Sequence, residues 1–144
     1  VKLHFHGFLP SGFERHPRVE HVQMNSDYRA FLRNLDECAW DIGLAPLGDN
    51  LFNNCKTNNK FREYSACYIP GVYSQSPVYT NWVVHGETGI SVTQTEDSWY
   101  EGIKQLIVNP ALRDKIRLQA GALARQHFSI QACADNWLNS LLHV

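Results

Sequence analysis

Apolar residues fall into short dense runs through the first two thirds of the chain and into a three- and four-residue spacing through the last third. Dense runs bounded by turn residues predict strands, and the wider spacing predicts helices. Lys2–Leu9 (KLHFHGFL) reads as a strand, and the Pro, Ser and Gly behind it mark a loop. Val19–Gln23 reads as a second short strand. Asp27–Leu35 reads as a helix, capped by Ser26 or Asn25, with Tyr28, Phe31, Leu32 and Leu35 on one buried face. Trp40–Leu47 (WDIGLAPL) is mostly apolar, as suits a strand covered on both faces of a parallel sheet. After a polar loop, a helix starts near Thr57 or Asn58 and ends near Tyr68, with Phe61, Tyr64 and Tyr68 turned to the core. Ile69–Ser74 and Thr88–Thr93 read as further strands, separated by a loop with one helical turn around Tyr79–Val83.

Three helices complete the chain. The first starts near Glu96 and places Trp99, Ile103, Leu106 and Ile107 on one face. Asn109-Pro110 is a cap followed by Pro at the first helical position, and Leu112, Ile116, Ala120 and Leu123 continue that second helix. Ser129 caps the third, whose apolar stripe is Ile130, Ala134, Trp137, Leu138 and Leu141. Strands that alternate with helices imply parallel βα units joined by right-handed crossovers. The expected fold class is therefore α/β, a Rossmann-like three-layer domain with a parallel sheet and a helical C-terminal third. Residues 1–144 are expected to form one domain, a length too short for two of ordinary size.

Composition narrows the function classes. With 44% hydrophobic and 19% charged residues, the chain can bury a core and is not a disordered segment. A net charge of -1 lacks the basic excess of a dedicated nucleic-acid binder, so no nucleic-acid partner is expected. No apolar run approaches the roughly 18 residues of a membrane span. The opening VKLHFHGFLP does not read as a signal peptide, and its first residue is Val, so the chain is expected to be a piece of a longer protein. The four cysteines, Cys38, Cys55, Cys67 and Cys133, form no CxxC pair and read as reduced thiols of a cytoplasmic protein.

Candidate chemistry gathers in FNNCKTNNKFREYSA, Phe52–Ala66, which follows the end of a predicted parallel strand. Open parallel sheets bind ligands at the carboxyl ends of their strands. The first amides of a helix lack intrahelical partners and stand at the positive end of its dipole, where a phosphate satisfies several at once. Lys56 and Lys60 add positive charge, and Thr57, Asn58 and Asn59 add hydrogen-bond donors. Lys56, Lys60 and Glu63 are spaced by four and three, which places them along one side of a helix. A carboxylate accepts hydrogen bonds only, so Glu63 beside phosphate donors suits a ligand with a hydroxyl pair next to its phosphates, such as a nucleotide ribose. The competing reading is a plain Asn-rich loop with Thr57 as an N-cap and Lys60–Glu63 as a solvated ion pair worth about 0.2–0.5 kcal/mol. No GxxxxGK[ST] and no GxGxxG after the first strand is present.

The ordered set DIGLAPL, FNNCKTNNKFREYSACYIPGVYS, HGETGISV and NPALRDKIRLQAGALARQHFSI resembles the donor-binding half of retaining glycosyltransferases with two Rossmann domains, the family 4 type of the GT-B fold. The resemblance spans roughly Leu3 to Leu142. It implies a nucleotide-diphosphate sugar as ligand, the diphosphate at the helix start near Asn58 and Asn59, and Glu63 on the ribose. It implies no cofactor and no metal. It also implies that the acceptor-binding domain lies outside this chain, so that the fragment is inactive alone, and that the whole enzyme acts on a glycan or lipid-linked acceptor in polysaccharide biosynthesis. The first of the family's two glutamates falls at Cys55, although NNCKT resembles the Asn-x-x-Lys-Ser/Thr stretch of some branches. The small Gly before the next strand's Pro is replaced by Tyr68. An alternative reading is a non-catalytic interaction module of the same fold that has lost sugar binding.

Other residues carry weaker signals. His4 and His6 alternate on one strand face and, with His21, have metal-ligand chemistry, but no acidic or Cys partner stands at metal spacing, and they read as half-buried strand histidines. Cys55 beside Lys56 and a helix start meets the conditions for a lowered thiol pKa, against a structural role. Trp40, Trp82, Trp99 and Trp137 read as core. RDKIRLQAGALAR is basic on one face, which reads as a solvated helix, with a sparse-charged membrane-surface contact as the alternative.

Overall fold

The computed structural model describes residues 1–23 and 26–142 and divides into two compact units, residues 1–37 and 38–144. In the first unit, β1 (Leu3–His6) pairs in parallel with β2 (Val19–Val22), in the register Leu3↔Val19 to His6↔Val22. Helix α1 (Tyr28–Glu37) follows. Its cap is Asp27, whose Oδ1 accepts the Arg29 and Ala30 amides at 2.8 and 3.2 Å, in place of the expected Ser26. The other expected cap, Asn25, lies outside the described residues. Phe31 and Leu35 are buried as their spacing requires, whereas Tyr28 is exposed and stacks its ring on Phe31.

In the second unit β3 (Gly43–Ala45), β4 (Gly71–Ser74) and β5 (Ile90–Val92) form a parallel sheet in that order. The architecture is α/β and Rossmann-like. Each strand is shorter than its apolar run, because flanking residues such as Ile69 and Ile42 pack without joining the ladder. Two helices, α2 (Leu51–Asn54) and α3 (Asn59–Ala66), fill the β3–β4 connection. The sequence pattern predicts a loop where α2 lies. Asn50 creates the helix by accepting the Asn53 amide at 2.9 Å. Between β4 and β5 the chain makes successive turns, with Tyr79 bonded to Ser76 and Val83 to Tyr79, near the predicted helical turn.

Successive strand residues face opposite sides, so Val72 and Tyr73 enter different cores. Val72 joins Ile90, Val92, Leu106 and Ile116 beneath α4 (Glu96–Val108) and α5 (Pro110–Phe128). Tyr73 packs its ring against Phe61, Tyr64 and Tyr79, at centroid distances of 5.9, 6.3 and 5.0 Å. The register aligns Gly43 with Gly71 and continues to Gly89, just before β5. The Tyr64 and Tyr73 rings lie on this glycine strip: a Cβ on Gly43 would come within 2.6 Å of Tyr64 and one on Gly89 within 2.8 Å of Tyr73.

The caps Asn109 and Ser129 appear as expected, Thr95 caps α4, and Arg113 donates to the Leu106 and Ile107 carbonyls at the end of α4. Helix α6 (Ile130–Leu142) departs from expectation. Its apolar stripe is not buried: Ile130, Trp137, Leu138 and Leu141 are all exposed. Trp137 therefore does not belong to the core, unlike Trp99, which packs against it. No described helix is long and apolar enough to cross a membrane.

Candidate functional site

The carboxyl ends of the three parallel strands are tied together by polar side chains. The buried Ser74 Oγ, at the end of β4, accepts the Leu47 amide at 2.8 Å, and Gln94 Nε2 donates to the Leu47 carbonyl at 2.6 Å. The Gln75 amide reaches the Val92 carbonyl at 2.7 Å. Such ties hold fixed the edge where open α/β sheets receive ligands. Helix α2 stands at this edge: Asn53 Nδ2 donates to the Gly48 carbonyl, Asn54 Nδ2 to Asp49, and Ser76 Oγ to Asn54. The loop asparagines thus serve the local fold.

Helix α3 begins one short connection later. It starts at Asn59, and Asn58 is its N-cap residue, 4% exposed. Asn58 makes no side-chain cap bond. Its Oδ1 instead accepts Arg62 Nε at 2.7 Å, and its Nδ2 is buried without a hydrogen-bond partner. Thr57 Oγ1 donates to Asn59 Oδ1 at 2.8 Å. Lys60 Nζ reaches Glu63 Oε2 at 2.8 Å, and Glu63 is only 6% exposed. The competing picture of a solvated pair therefore does not describe it: the carboxylate is buried and the ammonium covers it. Lys56 does not share the helix with Lys60 and Glu63, as the spacing suggests. It lies in the α2–α3 connection, its amide bonded to the Asn53 carbonyl, with its Nζ 4.7 Å above the Phe52 ring.

Burial holds the neighbouring phenols protonated. Tyr64, Tyr73 and Tyr79 are all pushed up, chiefly by desolvation, and the Glu63 charge adds to the effect on Tyr64 and Tyr79. Tyr64 Oη donates to the Leu44 carbonyl at 2.9 Å.

Tyr68 is not on the α3 stripe. The helix ends at Ala66, and Tyr68 follows the Cys67 cap with φ 55. Its amide reaches the Ser65 carbonyl, and the Ile69 amide reaches Tyr64 at 2.8 Å, the two bonds of a Schellman motif. The tyrosine ring lies against Gly121 of α5, and its hydroxyl accepts from Arg125. In the first unit, His21 lies 2.6 Å from the Gly7 carbonyl and His4 lies 3.6 Å from Glu20. Among the described residues no three His, Cys, Asp or Glu side chains gather as a metal site. On α5, Arg113 binds carbonyls, Arg117 pairs with Asp114 and Arg125 meets Tyr68, so the basic face is largely engaged with protein.

No family model and no curated protein sequence matches the chain. Solved structures match it closely in shape. The protein HepE of Anabaena, in complex with UDP and glucose, superposes with a TM-score of 0.71 at 18% identity, over 90% of this chain and 33% of that one. Sucrose-phosphate synthase of Thermosynechococcus elongatus gives 0.63 at 17% identity, over 88% and 30%. The C-terminal domain of a group 1 glycosyl transferase, LpcC of Francisella tularensis, gives 0.60 at 17% identity, over 78% and 55%. The chain shares the fold of these structures. The chain spans about a third of the length of the first two of these structures.

Within this fold, sequence reasoning missed Arg62 and the aligned glycines. The i, i+4 spacing of Asn58 and Arg62 was the available signal for the first. For the second no local signal existed, because the three glycines meet only across the sheet.

Proposed function

We propose that residues 1–144 form the donor-binding domain of a glycosyltransferase that takes a nucleotide-diphosphate sugar at the start of α3. The observation that carries this reading is the uncapped N-terminus of an eight-residue helix at the carboxyl edge of a parallel sheet. The shared fold supports it, since HepE was solved with UDP and with UDP-glucose. The diphosphate accepts from the opening amides of α3, from Asn59 Nδ2 and from Thr57 when its hydroxyl turns from Asn59 Oδ1 to the ligand, with Lys56 and Lys60 supplying positive charge. Glu63 accepts from the ribose hydroxyls and positions the donor. Catalysis in the whole enzyme is then electrostatic, the positive groups neutralising the departing diphosphate. An acceptor-binding domain outside this chain completes the enzyme, and the acceptor is a glycan or a lipid-linked sugar in polysaccharide synthesis, at the cytoplasm or its membrane surface.

Calorimetry tests the reading directly. UDP and UDP-glucose are expected to bind the chain, and Lys60→Ala and Glu63→Ala to weaken both about tenfold or more. Absence of binding by the folded chain would instead favour an interaction module that has lost its sugar pocket.

A further inference from the structure

Five of the six helices among the described residues open with a side-chain oxygen on an amide three residues ahead: Asp27 on Ala30, Asn50 on Asn53, Thr95 on Ser98, Asn109 on Leu112 and Ser129 on Ala132. Helix α3 carries a good capping residue, Asn58, at the same place and does not use it. The oxygen that would accept the Phe61 amide is held by Arg62 Nε at 2.7 Å. Arginine donates only, so the group facing it must be Oδ1, and this leaves Nδ2 as the other arm. That Nδ2 is buried and has no acceptor in the protein, on a residue 96% removed from solvent. An orphaned buried donor is costly and points to a partner the chain does not itself supply. The backbone agrees. Asn58 has φ -77 and ψ 36, bent away from the extended form of the capping residues Asn50 and Thr95. Arg62 is itself braced, its guanidinium carbon 4.6 Å from the centre of the Phe128 ring at the end of α5.

We infer that Arg62 is a positioning residue that keeps the N-terminus of α3 uncapped, by drawing the Asn58 carbonyl away from the helix amides and leaving its amide group oriented for an anionic ligand. The inference rests on the donor-site reading and deepens it. A self-capped α3 competes with phosphate oxygens for the same amides, so the restraint trades a helix cap for ligand affinity. Arg62 acts through Asn58 and not by touching the ligand.

The test is a double-mutant cycle with UDP as probe, read by calorimetry, together with amide hydrogen exchange of Phe61 in the unliganded chain. Arg62 is exposed, so Arg62→Met is expected to fold. Released from Arg62, Asn58 caps the helix: Phe61 exchange slows about fivefold, the unliganded melting temperature does not fall, and UDP binds about fivefold more weakly. A merely structural role would lower stability and affinity together. In an Asn58→Ala background, Arg62→Met is expected to change neither Phe61 exchange nor UDP affinity further. Equal losses of affinity in both backgrounds overturn the inference, because Arg62 would then act by its own charge. Unchanged Phe61 exchange in Arg62→Met overturns it as well. If the unsubstituted chain binds no UDP, the donor-site reading falls, and the exchange measurement alone then decides whether Arg62 withholds the cap.

Discussion

Tyr68 occupies the left-handed position after α3 where a helix end usually takes glycine, at a backbone cost of about 1 kcal/mol. Its ring recovers that cost against Gly121 and Arg125 of α5. Tyr68→Gly relieves the strain and loses the ring, so its unfolding free energy is expected to stay within about 1 kcal/mol of the parent. Tyr68→Ala keeps the strain, and is expected to unfold about 1 kcal/mol more easily than Tyr68→Gly in urea titrations. At Gly71 the constraint is steric. A Cβ there collides with the Tyr73 ring, which is fully buried and has no room to move. Gly71→Ala is expected to cost about 2–3 kcal/mol and to lower the melting temperature by several degrees. Lys60→Ala uncovers a buried carboxylate. With the lysine itself half exposed, the stability loss is expected to be about 1 kcal/mol, well below that of a fully buried pair.

At the scale of elements, β4 and α3 together bury phenols that resist ionisation. Tyr64, Tyr73 and Tyr79 hold their protons in the folded chain beyond the ordinary phenol range, whereas the unfolded chain releases them near pH 10. An acid whose folded pKa is raised contributes stability that is complete below its unfolded pKa and is lost above it. Stability is therefore expected to hold up to about pH 10 and to fall steeply beyond. The tyrosinate absorbance of these three residues should appear with the unfolding transition; their ionisation in a chain that remains folded by circular dichroism contradicts their burial. Helix α6 makes the opposite prediction. With Leu138 exposed, Leu138→Ser is expected to change unfolding free energy by no more than about 0.5 kcal/mol, and Trp137 to be open to collisional quenching by acrylamide. The seven-residue repeat of apolar positions on α6 predicts amphipathicity, and the helix is amphipathic. Periodicity says which face is apolar, not whether anything covers it.

At the scale of the whole molecule, a ligand that binds only the folded chain must stabilise it. UDP at a hundred times its dissociation constant is expected to add about 2.7 kcal/mol, a shift of several degrees in the melting temperature, and glucose alone to add none. A melting curve indifferent to UDP removes the donor site. If Lys56 and Lys60 hold the diphosphate by charge, as proposed, the same shift shrinks as salt rises.

The strands and the helices other than α2, the helix caps Asn109 and Ser129 and the position of the α3 start were legible because each depends on neighbours within a few residues. Period-two and period-3.6 patterns and capping residues act through local sterics and hydrogen bonds, which a linear string records. Tertiary structure alone decided that Glu63 is buried beneath Lys60, that Gly43, Gly71 and Gly89 line up under two tyrosine rings, and that Tyr68 can stand in left-handed backbone by leaning on α5. It also decided that Asn58, a sound cap by residue type, gives its oxygen to Arg62. Each of these outcomes is a competition between partners far apart in the chain or one turn away on a helix face, and the winner depends on distances and burial that residue order does not carry.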